Sequence, residues 1–216
     1  MSTGRATVVQ VGEPLAGSAE ARRWLAAAGE AELRAGLAVL GRTLHAFRLI
    51  TADPYLVPVA RHQLLVARLG YGAGEQVADG SWSEAIEVIP NAGRQPRAKV
   101  LEPQARLAAV LGGRERVLAC EELTLRARLD LEHDRLPEAA LQLVVALDAA
   151  LAELARDRTA PLLHDRLSEL RAQRDRVAAA GQAGLSGELT DGDREAVAFT
   201  LGRLEAALRA RSLADA

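Results

Sequence analysis

Leu33, Leu37, Leu40, Leu44 and Phe47 follow one another at spacings of four and three, and the same rhythm returns four more times further along the chain. Such a stripe is one face of an α-helix, because 3.6 residues complete a turn. Cys120, Leu123, Ala127 and Leu131 form the second stripe, and Ala140, Leu143, Leu147 and Leu151 the third. Leu163, Leu167, Leu170 and Val177 form the fourth, and Val197, Leu201, Leu204 and Leu208 the fifth. Each stripe covers one side only, so no such helix is stable alone and together they must enclose a shared interior. The expected fold is all-α: a helical bundle or short helical array, preceded by an irregular N-terminal arm.

Composition points the same way. Alanine, leucine, arginine and glutamate, the strong helix formers, dominate, while aromatics supply only 3% of the 216 residues. A GC-rich genome would impose the same bias, since Lys99 is the single lysine among 27 basic residues. Those 27 face 29 acidic residues, and a net charge of −2 gives no global field to draw in nucleic acid. Charged residues interrupt every leucine-rich run before it reaches the length of a membrane span. The start MSTGRATVVQV lacks the apolar core of a signal peptide, and the lone Cys120 excludes an internal disulfide. A cytoplasmic location is expected.

Punctuation divides the chain. Residues 1–17, with Gly4, Gly12, Pro14 and Gly17, read as an arm, in which Thr7 to Val11 alone has strand character. Residues 18–216 read as a single helical domain, with a possible subdivision at 90–98, where PNAGRQPRA has two prolines and no hydrophobic period. Ser18 opens the first helix, and Thr51, Asp53 and Pro54 end the second. The region 58–89 reads as helix with a weak, glycine-rich middle. Gly181 is placed to end a helix, GQAGLSGELTDG to form a loop, and Thr190 or Asp191 to cap the last helix. The tail ARSLADA is expected to fray.

The segments beginning at Leu69 and Leu123 overlay with a shift of 54 residues. Ala73, Ala85 and Ala92 in the first match Ala127, Ala139 and Ala146 in the second, and Gly80, Trp82 and Glu84 match Asp134, Leu136 and Glu138. This pattern resembles the tetratricopeptide helical hairpin, best over residues 123–151. The resemblance implies antiparallel helix pairs held close by small residues, in arrays that bind other proteins. It covers roughly 50 residues.

Motifs for catalysis or metal binding do not emerge. Gly70, Gly72 and Gly74 are spaced G-x-G-x-G, which does not fit a dinucleotide-binding loop. His45, His62, His133 and His164 show no metal-ligand spacing, and Cys120 sits on an apolar stripe beside Glu121 and Glu122, which disfavour a thiolate. No catalytic residue, metal or cofactor is implied. Four of the six aromatics (Phe47, Tyr55, Tyr71 and Trp82) lie with His45, Arg48, Arg61 and His62 between residues 45 and 82. Tyr55, Arg61, His62, Tyr71 and Trp82 either line a small-ligand pocket or anchor the core where helices meet. Residues 92–128 carry eight basic side chains against four glutamates, and residues 129–216 carry 11 arginines against 16 acids. Arg94, Arg97, Lys99 and Arg106 are therefore expected to meet an acidic protein segment, including one on a second copy. The leading expectation is a protein-interaction module, adaptor or regulatory subunit. A ligand-binding or enzymatic helical domain using the aromatic cluster is the alternative.

Overall fold

The computed structural model describes residues 4–12, 15–88 and 97–214, with the side chains of 97–103 outside that description. The chain is mainly helical and divides into two compact units, Met1–Arg94 and Gln95–Ala216.

In the first unit, α1 (Ser18–Ala27) and α2 (Glu30–Thr51) precede a β-hairpin of β1 (Arg68–Tyr71) and β2 (Glu84–Glu87). α1 buries Ala21 and Leu25, four residues apart, and lies against the hairpin, where Arg22 Nε donates to Glu84 Oε1 at 2.7 Å. α2 ends at Ala52, which takes a left-handed conformation (φ 50, ψ 35). The chain then turns back: Arg61 Nε donates to Glu30 Oε1 at 3.1 Å, at the opposite end of α2. The helix is roughly 33 Å long, a distance that the ten residues 52–61 reach when extended, as Pro54 and Pro58 favour. Residues 4–12, including Thr7 to Val11, form no regular element.

The helix expected over 58–89 is replaced by this return segment and hairpin. β1 and β2 are antiparallel, with Arg68 opposite Glu87 and Tyr71 opposite Glu84. Three glycines within five residues oppose a helix, while Tyr71, Trp82, Ile86 and Val88 favour strands. Gly70 is required by close approach rather than by a bend: a Cβ there would lie 2.7 Å from the Glu84 carbonyl oxygen and 3.1 Å from Trp82 Cδ2. The 54-residue overlay thus places this hairpin opposite a pair of helices in the second unit.

The second unit comprises α3 (Arg97–Leu111), α4 (Ala119–Glu132), α5 (Leu136–Leu154), α6 (His164–Ala172), α7 (Arg174–Ser186) and α8 (Asp191–Ala214). α4 and α5 form an antiparallel hairpin, and α5 is the centre of the unit, packed by α4, α6, α7 and α8. It buries Leu136, Ala139, Ala140, Leu143, Ala146, Leu147, Ala150 and Leu154. Its alanines let neighbouring backbones come close while the leucines fill the interior. Ala127, Leu143 and Leu147 are buried as expected, and Leu123 is partly buried against the same cluster.

Two boundaries differ from expectation. Gly181 does not end a helix: α7 runs through it to Ser186, and Gly187 (φ 76) provides the left-handed terminus. Gly181 is buried under Val144, whose Cγ2 lies 2.7 Å from where a Cβ would stand. A loop remains only from Gly187 to Thr190, whose hydroxyl and amide pair with Asp193 to cap α8. The tail expected to fray stays helical to Ala214, held by Arg211, which is 2% exposed.

Candidate functional site

The residues expected to line a pocket are dispersed within the first unit. Tyr55 is 89% exposed in the turn after α2, where its amide donates to Asp53 Oδ1. Arg61 is half-buried and paired with Glu30, and the neighbouring His62 is exposed. Tyr71 and Trp82 sit on the hairpin, Trp82 against Gly70 and Tyr71 beside the Arg22–Glu84 pair. The hydrogen bond from Arg22 holds the Glu84 carboxyl below its ordinary range, and partial burial raises the Tyr71 hydroxyl. Tyr71 and Trp82 are thus brought onto one hairpin, whereas Tyr55, Arg61 and His62 lie along the return segment. Neither of two surface depressions, one on α2 and one between α5 and α7, is lined by any of the five.

Of the arginines expected to meet a partner, Arg94 lies outside the described residues, and Arg97 and Lys99 are described only as part of the α3 backbone. Arg106 is bound within its own chain: Nε donates to Glu115 Oε1 at 2.7 Å and Nη2 to Glu121 Oε1 at 2.5 Å. The acidic region that Arg106 was expected to reach on another molecule is met here by glutamates nine and fifteen residues away.

Those glutamates belong to a buried ion network that ties together α3, α4, the end of α5 and the end of α8. Arg211 Nη1 approaches the same Glu121 oxygen at 3.4 Å, Nε donates to Asp157 Oδ2 at 2.9 Å, and Nη2 donates to the Arg116 carbonyl at 3.3 Å. Burial alone would raise Asp157, but the Thr159 amide and hydroxyl and the Arg211 guanidinium hold it down at about 2. Glu153 accepts the amides of Ala119 and Cys120, and so caps α4 from a neighbouring helix. Burial, with Glu153 beside it, pushes the Cys120 thiol well up, away from nucleophilic use. With Arg211 enclosed among carboxylates and the partly exposed Arg106 paired with two of them, the network is a clasp between helices. Arg211 was missed in the sequence because its partner Asp157 lies 54 residues away, with no local spacing to mark the pair. Among the described residues, no cluster of three or more His, Cys, Asp or Glu side chains could hold a metal ion.

The remaining feature is the outer face of α2. Only five of its 22 residues are charged, so it is apolar around most of its circumference, yet it buries only Leu33 and Gly41. A helix of that kind ordinarily lies inside a protein. One side, from Leu33 through Leu37, Leu40 and Leu44 to Arg48, is partly or fully covered. On the other side Val39, Phe47 and Ile50 face outward, Phe47 at 55% and Ile50 at 83% exposure, with Leu49 beside them. Arg42, Thr43, Ala46, Phe47 and Ile50 line an open depression of about 430 Å³ there. No acidic residue lies between Glu32 and Asp53, and Arg34, Arg42 and Arg48 have no ion pair among the described residues. The face is apolar with a cationic edge, suited to receive another helix or apolar surface.

Compared with known proteins, the chain matches no family model, no curated protein and no solved structure. No helix is long and apolar enough to cross a membrane among the described residues.

Proposed function

We propose that this protein is a helical protein-interaction module of the cytoplasm, an adaptor or regulatory subunit that docks its partner on the outer face of α2. The observation that carries the reading is the mismatch in α2 between an almost continuously apolar surface and its scant burial. An exposed apolar helix face in water is a standing cost that a partner removes. The α4–α5 hairpin, of the tetratricopeptide kind in this reading, acts with α7 and α8 as a rigid frame rather than as the docking surface. The lone buried Cys120 suits a reducing compartment.

Capture experiments test this reading. The wild-type chain and Phe47→Asp/Ile50→Asp are immobilised side by side, with Leu185→Asp, an exposed substitution on α7, as the control. The expected result is a specific partner, a second copy included, retained by wild type and Leu185→Asp and lost from the α2 variant. A partner held equally by all three places the docking surface elsewhere.

A further inference from the structure

Resting on that reading of α2, we infer that the occupant of its outer face is α2 of a second copy, lying parallel and in register. The exposed stripe Val39, Thr43, Ala46 and Ile50 advances by four, three and four, the spacing of a two-stranded coiled-coil seam. Two such stripes related by a two-fold axis parallel to the helices stack like on like in four layers. The small side chains of Thr43 and Ala46 form the middle layers and let the backbones approach, and Val39 and Ile50 close the ends.

The flanking residues decide the direction. Arg42 and Phe47 stand on opposite edges of the stripe, five residues apart. In a parallel pair the residue before the seam on one helix meets the residue five further along on the other, which brings Arg42 over the exposed ring of Phe47 of the second copy, twice by symmetry. An antiparallel pair, in which Thr43 faces Ala46, would instead set Arg42 beside Leu49 of the second copy and leave the Phe47 ring without a cation. Arg42 has no ion pair among the described residues and Phe47 is more than half exposed, so both groups are available. The same chemistry occurs within the chain, where the Arg203 guanidinium lies 5.2 Å from the centroid of Phe199. A seam from residue 39 to 50 spans only about 16 Å. Such a contact is small beside the roughly 800 Å² per partner of a standard interface, so association is expected in the micromolar range.

Sedimentation velocity on the full chain, from micromolar to submillimolar concentration, should show a reversible monomer–dimer equilibrium. Ile50→Glu, which sets like charges in one layer, should weaken it more than tenfold, and Arg42→Ala severalfold. Both substituted side chains are exposed, so circular dichroism and tryptophan emission should stay unchanged. Mild oxidation of Ala46→Cys alone should yield a disulfide-linked dimer, because parallel packing sets residue 46 against its own counterpart, while buried Cys120 stays unreacted. Three results would overturn the inference: a wild-type chain monomeric throughout, tighter association of Arg42→Ala, or cross-linking only when Thr43→Cys and Ala46→Cys are mixed. A monomeric chain that still retains a different protein through Phe47 and Ile50 leaves α2 as the docking face and removes only the second copy as its occupant.

Discussion

α2 and α5 are close in length, 22 and 19 residues, and both are rich in leucine and alanine. α5 buries eight residues against four neighbouring helices, and α2 buries two. Apolar content alone therefore does not say what a helix is for. In α5 the apolar surface is used up by the fold, and its contribution is stability. In α2 one half of that surface remains in water, and its contribution is available to binding. The two units also differ in their spectroscopic probes: both tryptophans and both tyrosines lie in the first, whereas the second holds most of the helix. Tryptophan emission reports on the first unit, and far-UV circular dichroism mainly on the second.

The contrast is sharpest at the clasp that fastens α8 to α5. Arg211→Ala would leave Asp157 buried without the Arg211 guanidinium and Glu121 with Arg106 alone, and should destabilise the second unit by about 3 to 5 kcal/mol in urea unfolding followed by circular dichroism. Removing an exposed arginine of α2, as in Arg42→Ala, should change stability by less than about 0.5 kcal/mol. A loss below about 1 kcal/mol for Arg211→Ala would show that the network is solvated and not a clasp.

Apolar truncations probe the same difference. Leu143→Ala should cost about 2 to 5 kcal/mol, because it leaves a cavity where Leu143 is fully enclosed. Leu49→Ala, a like substitution on α2 at a leucine 67% exposed, should cost under about 0.5 kcal/mol. Comparable losses at both positions would erase the distinction between the two helices.

How much of this was legible beforehand follows from what a sequence encodes locally. The stripes through Leu143, Leu147, Leu201 and Leu204 recur at helical spacing, and each of those residues is buried. The stripe of α2 is as regular, but periodicity records which residues share a face and not whether anything covers it. The hairpin was missed because Gly70, Gly72 and Gly74 read as a weak point in a helix. Gly70 instead serves close approach across paired strands and Gly74 a left-handed backbone (φ 82), and strand partners 13 to 19 residues away leave no periodic mark. Arg211 was missed for the same reason at longer range: a buried arginine and a solvated one look alike until Asp157 and Glu121 are seen around it. Tyr55, Arg61 and His62 lie near Phe47 in sequence, but nearness in sequence does not gather them round one pocket: Phe47 lines the depression on α2 and the other three do not.

Acid should separate the two units further. Asp157 is held at about 2 when folded against 3.8 for the free group, so its interactions stabilise the native state above the higher value. That contribution, on the order of 2 kcal/mol, should fade as pH falls from about 4 toward 2, when the unfolded chain takes up a proton that the folded one resists. The circular dichroism midpoint in urea should drop across that window, and Asp157→Asn should flatten the dependence. An unchanged slope in Asp157→Asn would assign the acid sensitivity to other carboxylates.

The smallest expected effect lies where α2 and α5 end. The residue after α5, Ala155, keeps a right-handed conformation (φ −68, ψ −20), whereas Ala52 closes α2 in the left-handed region, where its Cβ crowds the backbone. Glycine takes that conformation without the crowding but loses more entropy on folding, and the first effect is the larger at a helix terminus. Ala52→Gly should therefore stabilise the first unit by about 0.5 kcal/mol, read from tryptophan emission, and leave the circular dichroism transition of the second unit in place. Ala155→Gly should do the opposite, destabilising the second unit by about 0.5 to 1 kcal/mol, since its right-handed backbone gains nothing from a glycine. A loss of stability in Ala52→Gly would mean that α2 does not end in the left-handed turn that starts the chain back along it toward Arg61, and the exposed face from Val39 to Ile50 would then have to be redrawn from a different helix terminus.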